Sequence, residues 1–209
     1  MVKTSPDRCR GTRHRRMFRR SGRRFADKNM RKQENPRACP DNGTMLRAEK
    51  VEQHMSGTIA AKLAELGIEL PTPAAPVANY VGFVRTGRLL VVSGQLCLGP
   101  GGTLVAKGKL GGGVSTEDGQ KAARACAINV LAQVQAALGD LEKVTRVVRL
   151  GGFINSDPGF LDGPKVMNGA SDLMVAVFGD AGRHARTTVG VAVLPMDAAV
   201  EVEGLFEVA

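Results

Sequence analysis

Near its C-terminus the chain alternates. Val200, Val202, Phe206 and Val208 fall on one side of an extended backbone, with Glu201, Glu203 and Glu207 on the other. Period two of this kind predicts a strand over 199–208 with one face buried and one polar. A different period governs the middle of the chain, where Ala122, Cys126, Val130, Val134 and Leu138 recur every four residues, flanked by Ile128 and Leu131. That stripe predicts a helix opened by Ser115 as its cap, with Asp118 placed to reach back and Glu117 favourable against the helix dipole, and closed by Gly139. Lys121, Arg124, Gln133 and Gln135 are expected on its wet side. Gly119 should weaken its first turn by about 1 kcal/mol relative to alanine.

The remaining elements follow from breakers and shorter patterns. Ser56 is placed to cap a short helix carrying Ile59, Leu63 and Leu66 and ending at Gly67, after which Pro71, Pro73 and Pro76 make 70–78 an extended connector. Strands are predicted at 81–86 and 89–95, turning at Gly87, then a short one at 104–106 between two glycine-rich loops. A strand at 144–154, a helix from Pro164 to Phe178 ending at Gly179, and a strand at 187–194 precede the last one. Six strands and two long helices in this order suggest an α+β fold, with both helices against one face of a mixed sheet. Carboxylates along the other face make it a poor one to bury within a single chain, so an oligomer with polar cavities at its interfaces is expected.

Charge divides the chain. Of the net +9, residues 1–54 hold 16 Lys and Arg against 6 Asp and Glu, so the remainder is close to neutral. The basic segment is poor in apolar residues and without periodicity, so it is expected to be a disordered extension, with the folded domain at 55–209. Three readings of it stand side by side: a stretch foreign to the native protein, a basic arm for nucleic acid or an anionic surface, and an organelle transit peptide, against which Asp7, Asp27, Glu34 and Asp41 count. No run of apolar residues is long enough to cross a membrane and no secretory signal is evident, which points to the cytoplasm. Four cysteines without a Cys-x-x-Cys pair offer no zinc or redox site, and Cys97 and Cys126 read as small buried hydrophobes.

Several chemistries are excluded by what is missing. The segment from Gly102 to Lys109 has the wrong spacing for a phosphate loop, and no Gly-x-Gly-x-x-Gly opens a helix. Outside the basic segment His184 is the only histidine, so neither a metal cluster nor a Ser-His-Asp triad can be assembled; as it stands it reads as a loop residue. With no Trp and a single Tyr, Tyr80, the domain is poorly supplied for stacking on bases. Arg186, just after the Gly179–Gly182 turn, can grip a small carboxylate at two points, and Glu201 opens the neighbouring strand, where the two could lie side by side as anion clamp and proton handler. Read from spacing alone, a surface arginine and a solvated carboxylate are the favoured readings.

Val92-Ser93-Gly94-Gln95, His184-Ala185-Arg186-Thr187-Thr188-Val189, and the run from Leu194-Pro195 to Val200-Glu201-Val202-Glu203 resemble, in order, the YjgF-type Rid family of reactive intermediate deaminases. The resemblance spans roughly 76–208. It implies a chorismate-mutase-like two-layer α+β sandwich, a homotrimer with ligand pockets between subunits, and hydrolysis of enamines and imines such as 2-aminoacrylate to 2-keto acids and ammonia, without a cofactor. Carried over by position, Arg186 would hold the substrate carboxylate, Glu201 would orient or deprotonate water, and Tyr80 would line the pocket. Ser93, Gly94, Asn168 and the backbone of Thr188 would complete it. Thr188 stands where the family often has Cys, and 157–165 is longer than usual. A non-catalytic carboxylate-binding or regulatory member of the fold, or an endoribonuclease or translation inhibitor using the basic arm on RNA, are the alternatives.

Overall fold

The computed structural model describes residues 58–73 and 79–209; the basic segment 1–54, the start of the domain and Ser56 lie outside them. Five strands form one mixed sheet: β1 (Phe83–Thr86), β2 (Leu89–Leu96), β3 (Val144–Asn155), β4 (Ala185–Val191) and β5 (Val200–Val208), in the order β1-β2-β5-β3-β4. All neighbours are antiparallel except β3 and β4. Among the described residues three α-helices accompany them, α1 (Ile59–Glu65), α2 (Thr116–Leu138) and α3 (Gly163–Phe178).

The connections decide where the helices lie. β2 and β3 both run antiparallel to β5, so they are parallel to each other and α2 crosses between them, just as α3 crosses between β3 and β4. Both crossovers step in the same direction across the sheet, and the right-handed rule then puts both helices on one face. The burial of β5 agrees: every residue from Val200 in steps of two is buried, while Glu201, Glu203, Leu205 and Glu207 on the other face are only partly so. That second face also exposes Leu89, Val91 and Val189.

The helix ends follow their sequence signals. The Ser115 hydroxyl accepts from Asp118 N and donates to the Asp118 carboxylate, and Gly139 closes α2 in the left-handed conformation at φ 73°. For α1 the cap is Thr58, whose hydroxyl accepts from Ala61 N. Gly119 is buried where a Cβ would come 2.8 Å from Leu110 Cδ1, so the lost propensity is the condition for close packing at that point. Gln133 corrects the expected wet face: it is 4% exposed and reaches Gln95.

A second correction concerns 104–106, which forms no strand. Leu104 makes a single bridge with Leu98, and Lys107 one with Ala198, so this stretch straps across strand ends. Glycines in the positive-φ region at 102 and 108 bend it away from continuous pairing on both sides. Cys97 and Cys126 are fully buried, as expected.

α2 and α3 approach so closely at Gly169 that a Cβ there would run into the Gln120 carbonyl. Gly169→Ala sets two effects against each other: helix propensity favours alanine by about 1 kcal/mol, whereas overpacking costs roughly 1–3 kcal/mol. The obstructing atoms are backbone and cannot rotate aside, so overpacking wins. A lower urea midpoint is the expected result; an unchanged or higher one would mean the helices can slide apart freely.

Candidate functional site

The residues singled out in the sequence gather in two places. Arg186 lies on the helix side of the edge strand β4. Its Nη1 donates to Asn168 Oδ1 and Ser171 Oγ, both at 3.0 Å, and its Nη2 to the Pro164 carbonyl at 3.3 Å, so α3 holds the guanidinium from three points. A guanidinium has five N–H groups, and these bonds use three of them. The Nε–H and one Nη2–H have no acceptor among the described residues. Nε and Nη2 share one edge of the planar group, the edge on which carboxylates form paired hydrogen bonds. Arg186 is exposed.

Asn168 and Thr188 flank this guanidinium. The Asn168 oxygen is spent on Arg186, which makes the amide an anchor as well as a lining group. Thr188 pairs with Gly152 on β3, and its side-chain oxygen is buried without a hydrogen-bond partner among the described residues. A Cβ on Gly152 would collide with Met167 of α3, which places Gly152, and Thr188 beside it, on the helix side.

Glu201 belongs to the other place. It lies on the open face of β5, opposite Phe153 of β3 and Leu96 of β2, and its carboxylate covers Gly94 so tightly that any Cβ at 94 would overlap it. Ser93 and Gly94 fall at an irregularity between β2 and β5, where the register shifts between Val92 and Gln95. The Ser93 hydroxyl donates to the Val81 carbonyl at 2.7 Å, and the Gln95 amide donates to the Ser93 and Gly94 carbonyls at 3.0 and 3.1 Å. Tyr80, next to Val81, is 53% exposed. Burial, and then the neighbouring Glu203, push the Glu201 carboxyl above its ordinary 4.5. Glu203 itself leans on Arg149 at 3.9 Å.

Arg186 and Glu201 are therefore not neighbours, contrary to the side-by-side arrangement expected from their order in the chain. β3 lies between β4 and β5, and the two side chains leave opposite faces of the sheet. One chain carries the Arg186 guanidinium beside Asn168 on one side, and the Glu201 carboxylate over Gly94 on the other. Three contributors were missed at the sequence level: Gln95, which holds the irregularity in β2, and Ser171 and His184 beside Arg186. Nothing in spacing marks the last two, because Ser171 reaches Arg186 and His184 only once α3 packs on β4. Among the described residues no group of three or more His, Cys, Asp and Glu side chains is arranged to hold a metal ion, and no helix is long and apolar enough to cross a membrane.

The chain is a two-layer α+β fold with paired crossovers, an exposed Arg186 on its helix side and, on the other face, a Glu201 carboxyl raised by burial and Glu203. Residues 60–208 match the family described as "YjgF/chorismate mutase-like, putative endoribonuclease", and the chain belongs to that family. It is 54% identical over 153 residues to protein TCP17 of Trypanosoma cruzi, covering 73% of this chain and 95% of that protein. Among solved structures it is similar to Atu1372, a protein of unknown function from Agrobacterium tumefaciens, with 47% identity, TM-score 0.68, and 72% of this chain and 92% of that one covered. It is also similar to a structure described as a "putative endoribonuclease" from Shewanella oneidensis, with 34% identity, TM-score 0.70, and 73% and 100% covered.

Proposed function

We propose that this protein hydrolyses reactive enamines and imines that bear a carboxylate, of the type of 2-aminoacrylate and its imine tautomer, to 2-keto acids and ammonia. The observation that carries the reading is the exposed Arg186 guanidinium: α3 holds it by three hydrogen bonds, while its Nε–H and one Nη2–H have no acceptor among the described residues. Family membership supports the class.

The chemistry asks little more of the protein. Protonation of the enamine at its terminal carbon gives an iminium, whose C2 is already electrophilic. Ionised Glu201 takes a proton from water as the oxygen bonds to C2 and passes it to the nitrogen; the C–N bond of the tetrahedral intermediate then breaks, ammonia leaves, and the hydroxyl gives its proton to solvent as C=O forms, which balances the proton the solvent supplied to the enamine carbon. Water is consumed, no electrons are exchanged, and no cofactor enters the balance. A carboxylate with a raised pKa is the stronger base for this step. Tyr80 and Ser93 line the pocket on the Glu201 side, and Asn168 and the Thr188 backbone on the Arg186 side.

Since these halves sit on opposite faces of one chain, the complete site in this reading forms between subunits of a homotrimer, with the apolar and acidic open face turned inward. Such hydrolysis belongs where pyridoxal-phosphate enzymes release their intermediates, in the cytoplasm. The test is a coupled assay on the full chain, in which a serine dehydratase supplies 2-aminoacrylate and imine loss is followed by absorbance. Faster loss with the protein present is expected; no acceleration by a well-folded oligomer would overturn the reading. Cleavage of RNA under the same conditions would move the activity to the endoribonuclease class.

A further inference from the structure

The Arg186 guanidinium is one end of a chain of hydrogen bonds whose other end is an imidazole. His184 Nδ1 lies 2.6 Å from the Gly182 carbonyl oxygen. A carbonyl can only accept, so Nδ1 carries the hydrogen, and in the neutral ring Nε2 presents a lone pair. Nε2 is 3.1 Å from Ser171 Oγ, so the Ser171 hydroxyl donates to it. With its one hydrogen committed there, Ser171 Oγ meets Arg186 as an acceptor, 3.0 Å from Nη1. The direction of every bond thus follows from the first. The participants come from different elements: Ser171 from α3, His184 from the turn before β4, and Arg186 from β4 itself. The neutral ring that this pattern needs is favoured at physiological pH, because burial, helped by the charge of Arg186 and opposed by the Gly182 carbonyl, pushes the imidazole below its ordinary 6.5.

We propose that His184 and Ser171 are positioning residues for the carboxylate clamp: the imidazole fixes the Ser171 hydroxyl as an acceptor, and that acceptor fixes the plane of the Arg186 guanidinium. The proposal rests on Arg186 being a carboxylate clamp. Without it, Nη1 keeps Asn168 and Nη2 the Pro164 carbonyl at 3.3 Å, so the guanidinium is held at two points instead of three and the direction of its Nε and Nη2 edge is less firmly set. The loss falls on binding rather than on the water step, because both residues act on the group that holds the carboxylate and not on the one that takes the proton from water.

Two measurements on the full chain test this, with pyruvate as the carboxylate probe. Ser171→Ala should weaken pyruvate binding about five- to tenfold, the net effect of one ordinary hydrogen bond, since Arg186 keeps its other anchors, while Ser171→Thr, which keeps the hydroxyl, should bind within about twofold of wild type. His184→Gln, whose side-chain oxygen stands where Nε2 was, should rescue what His184→Ala loses. In a Ser171→Ala background, His184→Ala should add nothing, since the ring acts only through that hydroxyl. Fully additive losses would make His184 a merely structural residue and overturn the proposal. The second measurement needs no ligand: the Arg186 Nη hydrogens should give separate, slowly exchanging NMR signals in wild type and His184→Gln, and averaged ones in Ser171→Ala. Identical spectra in all variants would overturn it too. Arg186→Lys separates the two readings: if it binds pyruvate like wild type, the clamp itself is wrong; if it fails to bind while His184→Ala and Ser171→Ala bind normally, the clamp stands and the relay falls.

Discussion

Arg186→Lys is expected to lose turnover almost as badly as Arg186→Ala. The wild-type side chain does two tasks at once, being tied to Asn168, Ser171 and Pro164 while it presents a second pair of hydrogens to the ligand. A lysine ammonium has three hydrogens on one atom in a tetrahedral arrangement, so it can satisfy the anchors or grip the ligand but cannot do both in one plane. It also leaves at least one of the three acceptors on α3 without its donor. A hydrogen bond to a charged group contributes about 1.5–3 kcal/mol, and each 1.36 kcal/mol is about tenfold in rate. We therefore expect kcat/KM to fall on the order of 10²-fold for lysine and 10³-fold for alanine. The decrease should sit in KM as much as in kcat, because the grip is made in the ground state as well as the transition state. Steady-state kinetics on variants whose thermal midpoints match wild type would measure it, and a lysine variant with normal KM would remove Arg186 from the site.

Glu201→Gln is the second large effect, and it should divide the other way. Glutamine keeps the size and the place above Gly94, so ligand binding should change little, while loss of the base should slow kcat by roughly 10²- to 10⁴-fold. The pH profile adds a signature. Only the ionised carboxylate can take a proton, so activity is present above the Glu201 pKa and is lost as pH falls through it. Burial and Glu203 raise that pKa, and the acid limb should therefore stand above the ordinary 4.5. Glu203→Gln should move the limb down only part of the way, since burial is the larger cause and remains. A wild-type limb at the ordinary value, or unchanged kcat in Glu201→Gln, would reduce Glu201 to a structural residue.

Much of this architecture could be read without coordinates wherever one local signal dominates. The alternation of β5 and the four-residue stripe of α2 are set by which residues can face a core, and the caps at Ser115 and Gly139 by backbone groups that must be satisfied. Pattern and structure part where a distant partner decides. Gln133 looked like a surface residue because nothing nearby announces Gln95. The stretch 104–106 has strand-forming residues, but the glycines on either side bend it out of register. Arg186 and Glu201 seemed adjacent because their strands follow each other in sequence, whereas the crossover through α3 puts β4 outside β3 and far from β5. The candidate residues themselves were legible; their division between two faces was not, since it depends on strand order.

That division has a consequence for heredity within an assembly. If each pocket takes its clamp from one protomer and its carboxylate from the next, Arg186→Ala and Glu201→Gln damage different partners of the same pocket. Two preparations, each inactive by itself, should then recover activity after being unfolded and refolded together, because mixed rings would bring an intact Arg186 to an intact Glu201. The unit on which a harmful substitution acts would be the junction between two copies, so two defective alleles could complement each other where neither suffices alone.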